Sequence, residues 1–425
     1  MKTILYHLQI VLLICVAAAC KKDKGFVHDN NAPIIVDKFT PESGASGTEV
    51  LIYGSNFTTD TAAVNVTVNG VKALVEGVIS DHILVVIPEK AGSDKITVTI
   101  NGKTTTAAKA FGYITSYKVS TLAGNGAAGI ADGKGIFSSF NFSRCGLDVD
   151  DAGNVYVADG NNRRVRKITP DGNVTTLAGN GNGGYQEGKG QTAQFSFPLD
   201  VAVDKDGSVI VADPADWTIR RVTADGTTSL IAWGEAWGIG IDKRNGNIYY
   251  ANARGSGSIY QVTPNGTATE IIKNLVYPVD VAVDSNSNLY VSENGTSMIK
   301  KFAADTWEPT VIAGAAYQTG LVNGKGTDAR FDYPWAIAVD ANNNLFVAGN
   351  GTGDGSSVNT NQCIRKITAN TWDVTTYIGG STPGFADGAG AAALFNAPTG
   401  VAVDKNGVVY VVDRNNNRIR KVIAE

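Results

Sequence analysis

The sequence predicts an all-β protein in which a small antiparallel β-sandwich precedes a six-bladed β-propeller. Three observations lead to this fold class. Residues 32–114 alternate short apolar strands with turns at regular spacing, and residues 115–425 repeat one four-strand unit six times. The last repeat lacks a strand, which the segment ahead of the first repeat supplies. Together these patterns predict two domains built from β-strands.

The first domain consists of short strands such as Glu49-Val50-Leu51-Ile52-Tyr53-Gly54 and Lys95-Ile96-Thr97-Val98-Thr99-Ile100. Turn residues, including Asn69-Gly70 and Asn101-Gly102, separate these strands. Alternating strands with such turns are typical of a compact antiparallel sandwich.

The second domain repeats an apolar strand ending in Asp, a short turn and an aromatic-rich strand, followed by two further strands. One copy begins with Val201-Ala202-Val203-Asp204 and continues with Val209-Ile210-Val211-Ala212-Asp213. The Asp of the first strand recurs at Asp150, Asp204, Asp242, Asp284, Asp340 and Asp404. Four strands at a period of about 40–55 residues are typical of propeller blades.

The two ends of the repeat region predict how the ring closes. The last unit ends at Ile419-Arg420-Lys421-Val422 after three strands, and an extra strand, Lys118-Val119-Ser120-Thr121-Leu122-Ala123-Gly124, stands ahead of the first unit. We expect this N-terminal strand to complete the last blade, because an incomplete blade would leave an open sheet edge.

Both domains resemble known families. The first resembles the IPT/TIG family of immunoglobulin-like domains in motifs such as Pro41-Glu42-Ser43-Gly44, Tyr53-Gly54-Ser55-Asn56-Phe57 and Phe111-Gly112-Tyr113. The repeats resemble NHL repeats, most clearly where Tyr410-Val411-Val412-Asp413 leads to Asn417-Arg418-Ile419-Arg420-Lys421. These resemblances imply an immunoglobulin-like spacer or interaction module followed by a six-bladed propeller.

Residues 1–20 predict a lipoprotein signal peptide, because one lysine and a short apolar run end in small residues. Ala17-Ala18-Ala19-Cys20 resembles a bacterial lipobox, in which Cys20 is the lipidation site; the alternative is an ordinary signal peptide with an incidental cysteine. The following tether, residues 21–31, resembles those of Bacteroidetes-type surface lipoproteins. The resemblance implies a lipid anchor at the outer membrane or cell surface, with the N-terminal lipid as the only membrane contact.

The amino-acid composition excludes some classes of partner and some catalytic mechanisms. The 425 residues carry 36 Lys plus Arg against 40 Asp plus Glu, a net charge of −4. Nucleic-acid binding needs a basic surface, so no nucleic-acid partner is expected. The three histidines, His7, His28 and His82, all precede the propeller, which excludes Ser-His-Asp and Cys-His mechanisms there. Cys145 and Cys363 fall in non-neighbouring units, which favours buried free thiols over a disulfide.

Much of the glycine lies in four long connections that contain Asp-Gly-Lys-Gly or a close variant, at 124–143, 179–196, 314–332 and 379–396. A phosphate-binding loop would open a helix after a strand and carry Lys-Ser/Thr. These connections instead lead into the first strand of the next unit, so they are interpreted as structural turns.

The face that carries these connections, here named the long-loop face, holds the candidate ligand-binding residues. Trp237 and Trp335 share a repeat position just before the first strand, near the predicted channel mouth. Flat aromatic rings on an open surface suit carbohydrate, whereas the alternative is that some of them only fill space between blades. The candidate set is Trp217, Trp233, Trp237, Tyr277, Tyr333 and Trp335.

Three acidic residues, Asp148, Asp200 and Asp280, are candidate metal ligands near the same mouth. Calcium accepts carboxylate oxygens together with backbone carbonyls. The alternative is backbone hydrogen bonding, for which NHL units often use Asp. No other cofactor is indicated.

These features favour a non-catalytic, monomeric surface lipoprotein that binds a glycan or a protein partner through the Trp-rich face. One alternative is a calcium-dependent hydrolase or lactonase that uses the channel acids. A second is a protein–protein interaction scaffold, a common use of propellers.

Overall fold

The computed structural model describes residues 28–255, 257–349 and 361–425. The chain forms two compact units, one extending to Ser116 and including Glu425, the other spanning Tyr117–Ala424. The predicted signal peptide, the predicted lipidation site Cys20 and most of the predicted tether lie outside the described residues. Among the residues described, no helix is long and apolar enough to cross a membrane.

The strands of the first unit are β1 (Ile35–Thr40), β2 (Ser43–Gly44), β3 (Glu49–Ser55), β4 (Val64–Val68), β5 (Val71–Lys72), β6 (Leu74–Ile79), β7 (His82–Val86), β8 (Asp94–Ile100) and β9 (Lys103–Tyr113). They form a sandwich of two sheets with the strand orders β1-β3-β7-β6 and β2-β9-β8-β4-β5. Alternate residues of β8, namely Ile96, Val98 and Ile100, are fully buried between the sheets together with Phe57 and Phe111. This alternation is the pattern from which the sandwich was predicted.

The second unit contains six sheets in the described part of the chain, and each sheet is one blade. Two strands precede the first blade, β10 (Tyr117–Ala123) and β11 (Gly133–Lys134). Blades 1 to 3 are β12 (Leu147–Val149), β13 (Val155–Asp159), β14 (Arg164–Ile168), β15 (Asn173–Ala178); β16 (Asp200–Val203), β17 (Val209–Asp213), β18 (Thr218–Val222), β19 (Thr228–Trp233); and β20 (Gly238–Asp242), β21 (Asn247–Asn252), β22 (Ser258–Val262), β23 (Ala268–Ile272).

Blades 4 to 6 are β24 (Pro278–Val283), β25 (Leu289–Glu293), β26 (Met298–Phe302), β27 (Pro309–Ala313); β28 (Gly324–Lys325), β29 (Ile337–Val339), β30 (Leu345–Ala348), β31 (Gln362–Ile367), β32 (Asp373–Gly380); and β33 (Gly388–Ala389), β34 (Pro398–Val403), β35 (Val409–Asp413), β36 (Arg418–Ala424). The innermost strands β12, β16, β20, β24, β29 and β34 contact one another in cyclic order, which makes the array a closed ring. The all-β fold class, with a sandwich followed by a propeller, is therefore confirmed.

Short 3₁₀ helices are the helical segments of the described chain. They are Thr61–Ala63, Gly135–Phe137, Gly160–Asn162, Gly190–Thr192, Asn294–Thr296, Gly326–Asp328, Gly390–Ala392 and Arg414–Asn416. All but the first lie in connections on the long-loop face of the propeller.

The ring closes as the sequence predicts. β10 pairs antiparallel with β36, with Val119 opposite Val422 and Ser120 opposite Lys421, and supplies the fourth strand of blade 6. Every blade thus has at least four strands, and blades 1, 5 and 6 each carry a fifth, two-residue strand at the outer edge, namely β11, β28 and β33. No blade is left with an incomplete sheet.

The repeated Asp at the end of each first strand builds the turn that follows. Asp150 Oδ1 accepts hydrogen bonds from the Ala152 and Asn154 N–H groups at 3.0 and 2.8 Å. Asp340 and Asp404 make the same pair of bonds two and four residues on. Asp at this position favours the turn because its side chain substitutes for a backbone acceptor.

The glycine-rich connections serve a structural purpose, in agreement with their interpretation as turns. The acidic residue that opens the first motif, Asp132, accepts a hydrogen bond from the fully buried guanidinium of Arg166 at 2.8 Å. Arg166 also pairs with the buried carboxylate of Asp159 at 2.7 Å, and its guanidinium lies over the Phe140 ring. The connection is therefore held against its blade by a buried cation.

The same arrangement recurs wherever a connection is long. Arg220, Arg365 and Arg420 are fully buried and bond the first motif residues Glu187, Asn323 and Asp387 respectively. Blades 3 and 4 follow short connections and carry Tyr260 and Lys300 at this position instead. The arginine and the long connection occur together because each satisfies the other's polar groups.

Candidate functional site

A cavity of about 440 Å³ opens on the long-loop face of the propeller, at the axis of the ring. Its lining comes from the residues just before several innermost strands and just after several second strands. We name it the long-loop cavity, and its lining residues are Ser143, Arg144, Phe197, Leu199, Pro214, Ala215, Glu235, Trp237, Arg254, Trp335 and Arg414.

Three of the predicted aromatic residues form one group, of which Trp237 and Trp335 line this cavity and Tyr277 does not. The ring centroids of Trp237 and Trp335 are 6.5 Å apart, and those of Trp237 and Tyr277 are 5.7 Å apart. Trp335 is 5% exposed and belongs to the core between blades, whereas Trp237 and Tyr277 are half-buried. Trp335 therefore forms part of the floor, and Trp237 presents more of its ring to a ligand.

The remaining predicted aromatics do not line the cavity. Trp217 and Trp233 are 55% and 60% exposed, and the Trp233 ring contacts Tyr185 at 5.5 Å. Trp233 ends β19, the outermost strand of its blade, so it lies toward the rim. Tyr333 is half-buried two residues before Trp335 and is absent from the lining.

The cavity also contains arginines that the sequence analysis missed. The Arg144 guanidinium lies 5.2 Å from the centre of the Trp335 ring, a cation–π distance. The Arg254 Nε lies 2.6 Å from Oε1 of Glu235, a carboxylate that is 4% exposed. Arg414 begins the 3₁₀ helix after β35, and burial together with repulsion from Arg144 lowers the pKa of its guanidinium.

Alignment of the six repeats could have identified two of these arginines as residues near the mouth of the ring. Arg414 follows the terminal Asp of a second strand, where the other described blades carry residues such as Gly160, Pro214 and Asn294. Arg144 stands one residue before the repeat position shared by Trp237 and Trp335. Both positions face the mouth of the ring, so an arginine at either one indicates a candidate ligand-binding residue.

The three predicted acidic residues lie below the cavity and link neighbouring blades. Asp148 accepts from the Val203 N–H, Asp200 from the Ile239 N–H and Asp280 from the Ile337 N–H, at 2.8, 2.8 and 2.9 Å. The second carboxylate oxygen of each accepts the N–H of the next residue in its own strand. Both oxygens of each carboxylate thus bond backbone, the use that the sequence analysis kept as the alternative to calcium.

Asp200 and Asp280 are buried, which affects their titration. Burial raises the pKa of Asp280 to about 7, and burial followed by repulsion from Asp280 raises the pKa of Asp200. The Asp200 carboxylate lies where a Cβ on Gly146 would be, and the Asp280 carboxylate lies against Gly238. In the described residues, no group of three or more His, Cys, Asp or Glu side chains is placed to hold a metal ion.

The floor of the long-loop cavity is nearly closed. Below it lies a space of about 10 Å³, lined by residues that include Trp237, Trp335, Asp200 and Asp280, which admits at most about one water molecule. A separate cavity of about 200 Å³ lies beyond this constriction, along the innermost strands. A ligand that enters from the long-loop face therefore stops at the aromatic floor.

Comparison with known protein families matches both parts of the chain. The IPT/TIG domain model matches residues 33–117, and the NHL repeat model matches residues 395–422. The chain therefore carries an IPT/TIG domain followed by a β-propeller that contains an NHL repeat, which confirms both resemblances predicted from the sequence.

Two curated relatives are similar to part of this chain at low identity. Protein SUPPRESSOR OF QUENCHING 1 of Arabidopsis thaliana is 26% identical over 316 residues, which cover 71% of this chain and 27% of the relative. NHL repeat-containing protein 2 of Homo sapiens is 26% identical over 294 residues, covering 64% of this chain and 38% of the relative. The chain thus matches less than half the length of these curated relatives.

Solved structures match nearly the whole chain. A Bacteroides thetaiotaomicron protein of unknown function aligns with a TM-score of 0.62 at 22% identity, covering 94% of this chain and all of the other. An auxiliary nutrient binding protein from Bacteroides ovatus aligns with a TM-score of 0.62 at 23% identity and the same coverage. At these identities the likeness establishes the fold, and these are Bacteroides proteins with the same propeller fold.

Proposed function

We propose that this chain is a lipid-anchored surface protein whose propeller binds a small nutrient molecule, most simply a glycan, in the long-loop cavity. The observation that carries the proposal is a cavity of about 440 Å³ beside the half-buried ring of Trp237. Ligand sites in proteins commonly occupy about 300–1,000 Å³ and combine aromatic walls with a few polar groups.

Two further points support a binding role. Proteins of the same fold from Bacteroides ovatus and Bacteroides thetaiotaomicron are named auxiliary nutrient binding proteins. Among the described lining residues, Glu235 supplies the only carboxylate, and this carboxylate forms an ion pair with Arg254. Glycoside hydrolysis ordinarily uses a pair of carboxylates across the scissile bond, so this lining suits recognition better than cleavage.

The experiment measures glycan binding by the propeller and its variants. Trp237→Ala is expected to weaken binding about tenfold or more, because truncation of a central aromatic anchor removes its stacking surface. Trp233→Ala is the matched control, since Trp233 lies on the same face and is 60% exposed but does not line the cavity. An equal loss in both variants, or a loss only in Trp233→Ala, would refute the cavity as the site.

The lipid anchor has its own test. We propose that Cys20 is acylated, and metabolic labelling with a radioactive fatty acid should mark the wild-type protein and not a Cys20→Ser variant. Label retained in the variant would refute acylation at Cys20, whatever the propeller binds.

A further inference from the structure

We propose that the ligand of the long-loop cavity is an acidic sugar, whose oxyanion is held by Arg144 and Arg414 while its ring lies against Trp237. This inference rests on the proposed function and specifies the chemistry of its ligand. The oxyanion is a carboxylate or a sulfate on the sugar ring, since guanidinium groups bind both through paired N–H donors.

The residues that line the cavity are mainly basic. The described lining residues include three guanidinium groups, on Arg144, Arg254 and Arg414, and one carboxylate, on Glu235. The lining residues therefore carry two more positive than negative charges, although the whole chain has a net charge of −4. A basic cavity in an acidic chain raises the local concentration of anions and steers them to the opening.

Arg414 is a partly buried cation that no carboxylate of the described residues neutralises. In the described part of the chain no carboxylate lies within 4.0 Å of its guanidinium, and its Nε bonds only the Asn415 side-chain oxygen at 3.2 Å. By contrast, the fully buried Arg166 and Arg420 each pair with two carboxylates. A partly buried cation beside another cation is costly unless an anion completes the site.

The cation is also adjacent to flat apolar surface. Arg144 lies over the Trp335 ring, and Trp335 and Trp237 are in contact within the same group. An oxyanion bound by Arg144 therefore has an aromatic ring beside it. This pairing of charge and apolar surface fits a sugar ring bearing an acidic group better than a small inorganic anion.

Two unsatisfied donors add to this arrangement. Among the described atoms, the Trp237 indole N–H and the Ser143 hydroxyl are buried and have no hydrogen-bond partner, and both residues line the cavity. Buried polar groups are ordinarily satisfied, so such groups point to a missing acceptor. Sugar hydroxyls and oxyanions supply acceptors of this kind.

The test uses calorimetry on the full propeller-containing chain with three probes: a galacturonic acid tetrasaccharide, a sulfated galactose tetrasaccharide that has no carboxylate, and a neutral xylose tetrasaccharide. Arg414→Gln is expected to weaken binding of an acidic probe at least about tenfold, because one charge-assisted contact is lost. Binding of the acidic probe should also weaken with added salt. The carboxylated and sulfated probes distinguish the two sources of the oxyanion.

Arg163→Gln is the matched control. Arg163 is an exposed arginine in the corresponding connection of blade 1 on the same face, and it does not line the cavity. Arg163→Gln removes the same charge and should leave acidic-probe affinity unchanged. Arg414→Lys keeps a charge without the planar fork and is expected to retain intermediate affinity. The melting temperature of Arg414→Gln should be at least as high as that of the wild type, since the removed cation is repelled by its neighbour.

The outcomes separate the inference from the proposed function. Preference of the wild type for the neutral probe, or equal affinity of Arg414→Gln and wild type for the acidic probes, overturns the acidic ligand and leaves glycan binding intact. Absence of binding to every probe, with Trp237→Ala indistinguishable from wild type, overturns the proposed function together with the inference. Selective loss of acidic-probe affinity in Arg414→Gln, with Arg163→Gln unchanged, supports both.

Discussion

Replacing Arg166 by methionine tests how the long connections are held to the blades. The guanidinium is 0% exposed and donates to Asp159 at 2.7 Å, to Asp132 at 2.8 Å and to the carbonyls of Ser139 and Ala131 at 3.1 and 2.9 Å. Methionine preserves most of the apolar stem and its packing, whereas all four polar contacts disappear. The change therefore isolates the charge from the volume of the side chain.

The magnitude follows from what remains unpaired. The Asp159 carboxylate is 0% exposed, and without Arg166 its described partners are the Asn162 amide and the Asn141 N–H. Removing one member of a buried ion pair costs about 3–5 kcal/mol, because the other charge stays buried. Asp132→Ala removes the partner that is 46% exposed, so it should cost only about 1 kcal/mol.

The assay is urea unfolding followed by intrinsic tryptophan fluorescence. All six tryptophans lie after residue 116, so the signal reports the propeller and not the sandwich. Adding Asp159→Asn to Arg166→Met removes the uncompensated charge and should recover part of the lost free energy of unfolding. Equal, small losses for Arg166→Met and Asp132→Ala, or no recovery in the double variant, would refute the buried-charge reasoning.

Two further predictions concern the centre of the ring. Gly238→Ala should destabilise the propeller by about 2 kcal/mol or more, since the new Cβ would lie 2.4 Å from the Val279 carbonyl oxygen. Gly380→Ala is the control and should be near neutral, because no atom lies within 4 Å of the position of its Cβ. Equal melting temperatures for the two variants would contradict this prediction. Asp280, with a pKa near 7 when folded and about 3.9 when unfolded, keeps its proton in the folded state between these values. Its contribution to stability is therefore fully present below about pH 4 and is lost as the pH rises through about 7. The melting temperature of the wild type minus that of Asp280→Asn should fall over this range, and a constant difference would disprove the assignment.

Most of the fold was accessible from the sequence, because its determinants are local and repeated. Asp150, Asp284, Asp340 and Asp404 mark their blades by a bond pattern that spans only four residues. The closing strand could be inferred because the last repeat stops one strand short. The buried Arg166 and its equivalents were not recognised as structural, since an arginine in a strand reads as a solvent-exposed residue until its partners 34 positions away are known.

The candidate site was only partly predictable. The repeat register gives the face on which a residue lies, and it placed Trp237 and Trp335 near the mouth. The radial position was overlooked for Trp233, which ends an outermost strand and therefore lies away from the axis. Arg144 and Arg414 were missed because each comes from a different blade, and only the closed ring brings them to one cavity.

The closure of the ring by β10 and β36 also sets the order of events in folding. The paired residues, such as Val119 and Val422, are roughly 300 positions apart, so this is among the least local contacts of the chain. During synthesis β10 emerges first and waits for its partner until translation of blade 6 is finished. Its unpaired edge is exposed throughout that interval, and an exposed edge recruits other strands. The ring can therefore close only after the C-terminal strand has been synthesised.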